Sequence, residues 1–139
     1  AYRQNGALSV RRGVKLIDRR AILICDELTL AYPSEVWWFM HTQADVILSD
    51  EGRSAILRQG GKQVEVLLLD APDGARLSVM DAERLASSPN PTPGERGAPG
   101  YRKLAVNMTS ITQARLAVAI IPEGGPSMLH SHLLPLSSW

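Results

Sequence analysis

Residues 11–42 constrain the fold of this 139-residue chain more than any other part, because they join a β-hairpin pattern to an unusually aromatic strand. Two runs rich in Val, Ile and Leu, residues 7–17 and 21–30, flank a short polar sequence at 18–20. Such runs favour extended strands, and a short polar connection between them is typical of a hairpin turn. We therefore expect an antiparallel pair of strands at the start of the chain.

Short apolar runs separated by glycine- or proline-containing turns continue along the rest of the sequence. Glycine in the connections at 50–53 and 59–62 supplies the positive φ that tight hairpins need, and the sequence DAPDG at 70–74 is a further strong turn. Regular spacing of this kind predicts an all-β fold, a largely antiparallel β-sandwich of about nine strands in a single domain over residues 1–139. The predicted strands are residues 7–17, 21–30, 36–42, 46–49, 54–58, 63–69, 75–80, 103–109 and 115–121.

Two segments are predicted to lie outside the strands. Residues 87–100 are rich in proline and glycine, which remove backbone donors and weaken ordering, so we expect an exposed loop there. This loop is either a flexible connection or an edge of a binding site that contacts a substrate or partner. The tail at 122–139 carries three prolines and is expected to wrap the surface in extended form.

Charge and hydropathy argue against two classes of partner. Fifteen Lys and Arg against 14 Asp and Glu leave a net charge of +1 without a dense basic cluster, so nucleic acid is not an expected partner. No apolar run approaches the roughly 20 residues that span a bilayer, so no membrane span is expected. The single cysteine, Cys25, lies in an apolar strand pattern and is expected to be a buried thiol without an internal disulfide.

The predicted strand at 36–42 is apolar on both faces. Because side chains alternate along a strand, Trp37, Phe39 and His41 share one face and Trp38 lies on the other. The partner layer of a sandwich covers only one of these faces, and the second requires another domain or further strands. This pattern predicts that the chain is a piece of a larger protein.

Alternation also places a carboxylate on an apolar face of the hairpin. Asp26 shares its face with Ile24 and Leu28, so burial of its charge requires a partner. Arg11 or Arg12 on the neighbouring strand is the expected partner, and we interpret the pair as structural.

The hairpin sequence RRGVKLIDRRAILICDELTL, the strand VWWFMHT and the later segments KLAVNM and ARLAVAIIP together resemble the C-terminal β-sandwich region of the heparinase II/III-like polysaccharide lyases, relatives of alginate and oligoalginate lyases. The resemblance covers nearly the whole chain. It implies that an α-helical toroid precedes the sandwich and that the substrate cleft lies between the two. The implied partners are this N-terminal toroid and the upstream sandwich strands of the parent chain, with a polysaccharide as a further possible partner.

For the parent protein, the resemblance implies β-elimination of a uronate-containing polysaccharide, a glycosaminoglycan or alginate, in a bacterial periplasm or outside the cell. That reaction needs a group to neutralise the carboxylate, a base at C5 and an acid for the leaving oxygen. The family's His-x-His-x-Asp motif is absent here, so we assign no catalytic residue and no metal ligand. We predict that this chain alone has no lyase activity. The resemblance implies no cofactor for this chain and leaves a divalent metal in the parent open.

Three residues are candidate substrate contacts: His41, Trp37 and Trp38. His41 either reaches a substrate or a metal, or is hydrogen-bonded within the core. One of the two tryptophans is expected in the core, and the other is expected to stack on a sugar ring or on a neighbouring domain. His130 and His132 have a spacing compatible with a transition metal, but two ligands without a third make a weak site.

The alternative to a lyase module is a free-standing carbohydrate-binding or adhesion sandwich. In that case the aromatic strand at 36–42 and the loop at 87–100 would meet sugars directly. Saturable oligosaccharide binding by the isolated chain would favour this alternative.

Overall fold

The structure is a computed structural model, which describes residues 6–83, 85, 99–126 and 133–139. The predicted all-β, antiparallel fold is confirmed: seven strands form one antiparallel sheet, in the order β1-β2-β7-β5-β4-β3, with β6 paired to β7. Within these ranges, no helix is long and apolar enough to cross a membrane. The elements are β1 Ala7–Ile17, β2 Ala21–Thr42, β3 Asp45–Leu48, β4 Ser54–Gln59, β5 Lys62–Asp70, β6 Leu77–Asp81, β7 Arg102–Pro122 and a 3-10 turn Leu136–Ser138.

The predicted hairpin at the start of the chain is confirmed. β1 pairs with β2 in antiparallel register from Ile17 opposite Ala21 onward, and the backbone N–H of Arg20 donates to the carbonyl of Ile17 at 2.9 Å. Asp18 and Arg19 both have positive φ, at 49° and 56°. Two such residues in succession give the type I′ turn, whose twist matches that of the flanking strands.

Two long strands each combine two of the predicted strands, which is why the described residues form seven strands instead of about nine. β2 joins the predicted strands at 21–30 and 36–42, and β7 joins those at 103–109 and 115–121. Both strands are irregular at the same level: the register of β2 against β7 shifts on either side of Ser34, and Ser110 in β7 has a φ of 55°. Bulges bend a strand without ending its pairing, so each strand continues through the irregularity.

The bend divides the sheet into two layers. The first half of β2 and the second half of β7 lie with β1, β5, β4 and β3, whereas the second half of β2 and the first half of β7 lie with β6. One hydrophobic cluster contains side chains of both layers, which places the main core between them. The sandwich is therefore one continuous sheet folded over its own core. Core residues include Trp38, Leu77, Leu104, Val106 and Met108 from the three-stranded layer, and Ala55, Leu57, Val66, Leu68, Leu116 and Val118 from the other.

The C-terminal segment lies on the outside of the larger layer. A second small cluster forms on this outer face from residues such as Leu23 and Ala119, and Leu133 packs against it. The segment also covers Gly13 in β1, where an added Cβ would come within 2.4 Å of Leu136 and 2.9 Å of Trp139. Glycine is required at this position because the tail occupies the space of a side chain.

Two predicted features fall on residues outside the described ranges. The predicted loop at 87–100 is described only at Pro99 and Gly100, which form a turn, and the pair His130 and His132 is not described.

Candidate functional site

An aromatic surface lies on the outer side of the three-stranded layer; we call Trp37, Phe39 and His41 the aromatic face. The Trp37 and Phe39 rings stack, with centroids 5.6 Å apart and an interplanar angle of 14°. Both side chains are half-buried, whereas His41 is exposed. The prediction that Trp37 and Trp38 lie on opposite faces, one of them in the core, is confirmed, because Trp38 is only 5% exposed and belongs to the main core. A flat, stacked aromatic pair suits a sugar ring or another protein surface.

A buried lysine supports the aromatic face from the neighbouring strand. Lys103 is opposite His41 in the sheet register and is buried, with its ammonium 4.7 Å from the centroid of the Phe39 ring. The same ammonium donates a hydrogen bond to the backbone carbonyl of Glu83. A desolvated cation over an aromatic ring gains about 2 kcal/mol, which helps to offset burial of the charge. Lys103 therefore fixes the position of Phe39 and is not a free cation for a ligand.

Polar groups border the aromatic face at its other end. The side-chain amide of Asn107 donates to the Glu35 carboxylate at 3.0 Å, and Asn107 is opposite Trp37 in the sheet. Both residues lie near the bend in β2. The aromatic face thus has a stacked apolar centre with hydrogen-bonding groups at its ends.

The ion pair expected on the hairpin is present. Asp26 is 7% exposed, and its two carboxylate oxygens accept hydrogen bonds from Nε and Nη2 of Arg12 at 2.6 and 2.7 Å. A bidentate pair of this kind fixes geometry as well as charge. Arg11, the other expected partner, pairs with Glu27 on the opposite face at 2.9 Å. The predicted structural role of Asp26 agrees with this geometry.

A cavity of about 520 Å³ lies inside the bend of β2, and we call it the elbow cleft. Its volume is within the range of small-ligand sites, roughly 300–1,000 Å³. Exposed residues at its edge, Val10 and Glu35, show that it opens to solvent. Sequence alternation gave no sign of this cleft, because it is created by the fold of one layer over the other. Its lining is Ala7, Val10, Arg12, Asp26, Leu28, Leu30, Ser34, Glu35, Val36, Trp37, Trp38, Met108 and Leu116.

Trp38, one of the residues that line the elbow cleft, has a buried polar group without a partner among the described residues. The indole N–H of Trp38 is buried and has no hydrogen-bond acceptor among the described residues. A buried donor left unsatisfied costs about 1–3 kcal/mol, and most such groups in native proteins are paired. Trp38, a candidate substrate contact by sequence, is thus a core residue with one unused donor.

The C-terminal segment is held on the outer face by charged side chains that sequence reasoning did not single out. Arg115 Nη2 donates to the carbonyl of Leu134 at 2.7 Å, and the Glu27 carboxylate accepts from the backbone N–H of Leu136 at 2.8 Å. The pKa of Arg115 is raised above its usual value chiefly by its interaction with the buried Cys25 side chain; burial opposes the rise, and the Asp70 and Glu27 carboxylates add to it. The charged guanidinium of Arg115 therefore holds the tail through its hydrogen bond to the carbonyl of Leu134.

The thiol and the metal-ligating side-chain types were located among the described residues. Cys25 is fully buried, as predicted, beneath this outer face. No group of three or more His, Cys, Asp or Glu side chains within the described ranges is placed to hold a metal ion. The surface that the structure does offer is suited to binding and packing.

One long strand remains open on one side. β1 pairs with β2 and has no second neighbour among the described strands. Its side chains on the inner side of the sheet, Val10, Val14 and Leu16, are 47%, 64% and 61% exposed, and Leu8 is 68% exposed. An edge strand of 11 residues with an exposed apolar surface is a template for pairing with another strand.

Comparison with known proteins gives no matching family model, and no curated protein is significantly similar in sequence. Three features of the chain itself bear on its function. These are the aromatic face, the elbow cleft and the open edge at β1.

Proposed function

We propose that this chain is a non-catalytic β-sandwich module, the C-terminal sandwich region of a heparinase II/III-like polysaccharide lyase. The observation that carries the proposal is the open, apolar edge strand β1. β1 carries Arg11, Arg12 and Lys15, but Arg11 and Arg12 are engaged by the Glu27 and Asp26 carboxylates of β2. The aliphatic side chains on the inner side of β1 stay exposed, and a free-standing sandwich usually covers or interrupts such an edge. In the proposal, an upstream sandwich strand of the parent adds to β1 and covers its exposed apolar side chains.

The aromatic face is the second contact surface in this proposal. Trp37 and Phe39 are half-buried and lie on the side of the layer opposite the core. In the parent, this face packs against the N-terminal toroid or lines one wall of the cleft. The parent is proposed to cleave a uronate-containing polysaccharide by β-elimination, in the periplasm or outside the cell.

An elimination assay on the full parent polypeptide beside this chain tests the lyase proposal. New unsaturated-uronate absorbance is followed with heparin, heparan sulfate, chondroitin sulfate and alginate as substrates. We expect activity from the parent and none from residues 1–139 alone. Cleavage by the isolated chain, or an inactive parent across the whole panel, contradicts the proposal.

Hydrogen exchange tests the proposed strand addition directly. In the isolated chain, the β1 amides that do not bond to β2 should exchange rapidly, whereas in the parent they should be protected by at least ten-fold. β3, at the opposite edge of the sheet, is the internal control and should exchange alike in both proteins. Equal exchange of β1 in the two proteins would contradict strand addition.

The stacked Trp37–Phe39 pair favours a second candidate function, that of a free-standing carbohydrate-binding or adhesion domain. Stacking of a sugar ring on an exposed aromatic surface would then give the isolated chain measurable affinity for oligosaccharides. Calorimetric titration with uronate-containing oligosaccharides tests it, with Trp37→Ala as the variant and Trp139→Ala as the control. Saturable binding that is lost only in Trp37→Ala favours the binding domain over the lyase module.

A further inference from the structure

The elbow cleft lies beside the open edge of the sheet. Three of its lining residues, Ala7, Val10 and Arg12, belong to β1, and Val10 is also part of the exposed apolar surface of that strand. A strand that adds to β1 along its first half therefore passes the mouth of the cleft. The cleft and the edge form one continuous surface.

The chemistry of the lining defines what the cleft accepts. Most of its residues are aliphatic or aromatic, and the charged ones are Arg12, Asp26 and Glu35. Arg12 is engaged by Asp26 in two short hydrogen bonds, and Glu35 adds a negative charge at the rim. An anionic group such as a uronate carboxylate is thus disfavoured, because it would meet a lining with one cation and two anions. A neutral apolar group is favoured.

Trp38 can report on the cleft because its side chain lines it, and its indole N–H is buried without an acceptor among the described residues.

We infer that the elbow cleft receives a neutral apolar side chain from the strand that adds to β1. This inference rests on the proposed function, since it assumes that an upstream strand of the parent covers that edge. The inserted residue anchors the strand, because a side chain in a desolvated pocket contributes more to an interface than its exposed neighbours do. The open edge of β1 pairs with the backbone of the added strand. The cleft determines which residue of that strand lies opposite Val10.

A titration of the isolated chain with residue mimics tests the cleft. N-acetyl-leucinamide is the probe, N-acetylglycinamide lacks the side chain, and the anionic N-acetylaspartamide tests the charge argument. The readout is the indole N–H signal of Trp38 in a proton–nitrogen correlation spectrum, with the indole of Trp139, which does not line the cleft, as the internal control. We expect the leucine mimic to bind with a Kd on the order of 1 mM and about ten-fold more tightly than the glycine mimic.

Two variants on the same face of β1 provide a matched comparison. Val10→Phe fills the mouth of the cleft and should abolish the Trp38 response. Val14→Phe, at an exposed position on the same face that does not line the cleft, should leave the response unchanged. Equal binding of the glycine and leucine mimics, tighter binding of the anionic mimic, or a response that persists in Val10→Phe overturns the inference.

The same titration on the parent protein separates this inference from the proposed function. If the parent protects β1 from exchange and its Trp38 no longer responds to the leucine mimic, the cleft is occupied as inferred. If β1 is protected but Trp38 responds as in the isolated chain, strand addition to β1 is supported and the inferred insertion of a side chain into the cleft is wrong. If neither β1 nor Trp38 changes in the parent, both are wrong.

Discussion

The two faces of the β1–β2 hairpin differ in how they are covered. On the outer face, the C-terminal segment lies over Gly13, with Leu136 and Trp139 filling the space of the missing side chain. On the inner face, Val14 and Leu16 of the same strand remain more than 60% exposed. The C-terminal segment thus covers the outer face, where Gly13 leaves space for it. Large aliphatic side chains stay exposed on the inner face. The difference shows which face of the hairpin the C-terminal segment covers and which face stays exposed in this chain.

The two ion pairs of the hairpin sharpen this comparison and give the largest expected difference between its two faces. Arg12→Met leaves the buried Asp26 carboxylate without its bidentate partner on the inner face. We expect the free energy of unfolding in urea to fall by about 2–4 kcal/mol, somewhat below the full cost of breaking a buried pair because Arg12 is half exposed.

Arg11→Met is the matched control on the outer face. Its pair with Glu27 is more exposed, and Glu27 keeps its hydrogen bond from the N–H of Leu136. A loss of about 0–1 kcal/mol is expected for this surface pair. Equal losses for the two variants would show that the faces do not differ in the way described.

An intermediate effect is expected from Gly13→Val, which breaks the cover of the outer face. The new side chain clashes with Leu136 and Trp139, so the tail must move away. Overpacking of this kind costs about 1–3 kcal/mol, partly offset by the strand preference of valine. Urea unfolding measures the loss.

Tail release is checked separately by the fluorescence of Trp139. In the Trp37→Phe, Trp38→Phe background the emission of Trp139 should shift to the red in Gly13→Val, because the ring leaves the sheet. The second variant Leu136→Ala, which removes the nearest clashing atoms, should recover part of the stability of Gly13→Val. An unshifted emission maximum would mean that the tail stays docked.

The smallest effect is expected on the open inner face. Val14→Thr and Leu16→Thr change side chains that are mostly exposed in the isolated chain, so its unfolding free energy should change by no more than about 0.5 kcal/mol. Leu23→Ala in β2, fully buried, is the contrasting variant and should cost about 2–5 kcal/mol. A large loss for the threonine variants would show that the inner face is already covered within this chain.

Local patterns predicted much of this fold. The hairpin, the opposite orientations of Trp37 and Trp38 and the pairing of Asp26 all follow from alternation along strands whose register is set by a short turn. Each of these predictions needed only a few neighbouring residues.

The features that were not predicted depend on contacts between distant parts of the chain. Ser110 adopts a positive φ although it is not glycine, so the bend in β7 left no glycine or proline signal in the sequence. The elbow cleft results from that bend, and the docking of Leu136 on Gly13 joins the two ends of the chain. The wrong strand count has the same cause, since polar residues at the bend suggested loops where pairing in fact continues.

The two long strands also determine how this chain can reach its fold. β2 and β7 are paired along both layers, and Ile22 at one end of the chain meets Ile120 near the other. Chain closure over such separations is slow, because the entropy of a large loop is lost before any long-range contact forms. The hairpin of β1 and β2 can form early, but β2 must then wait for the last strand to be synthesised. During translation its apolar face is therefore exposed for longer than that of any strand whose partner is its neighbour in sequence.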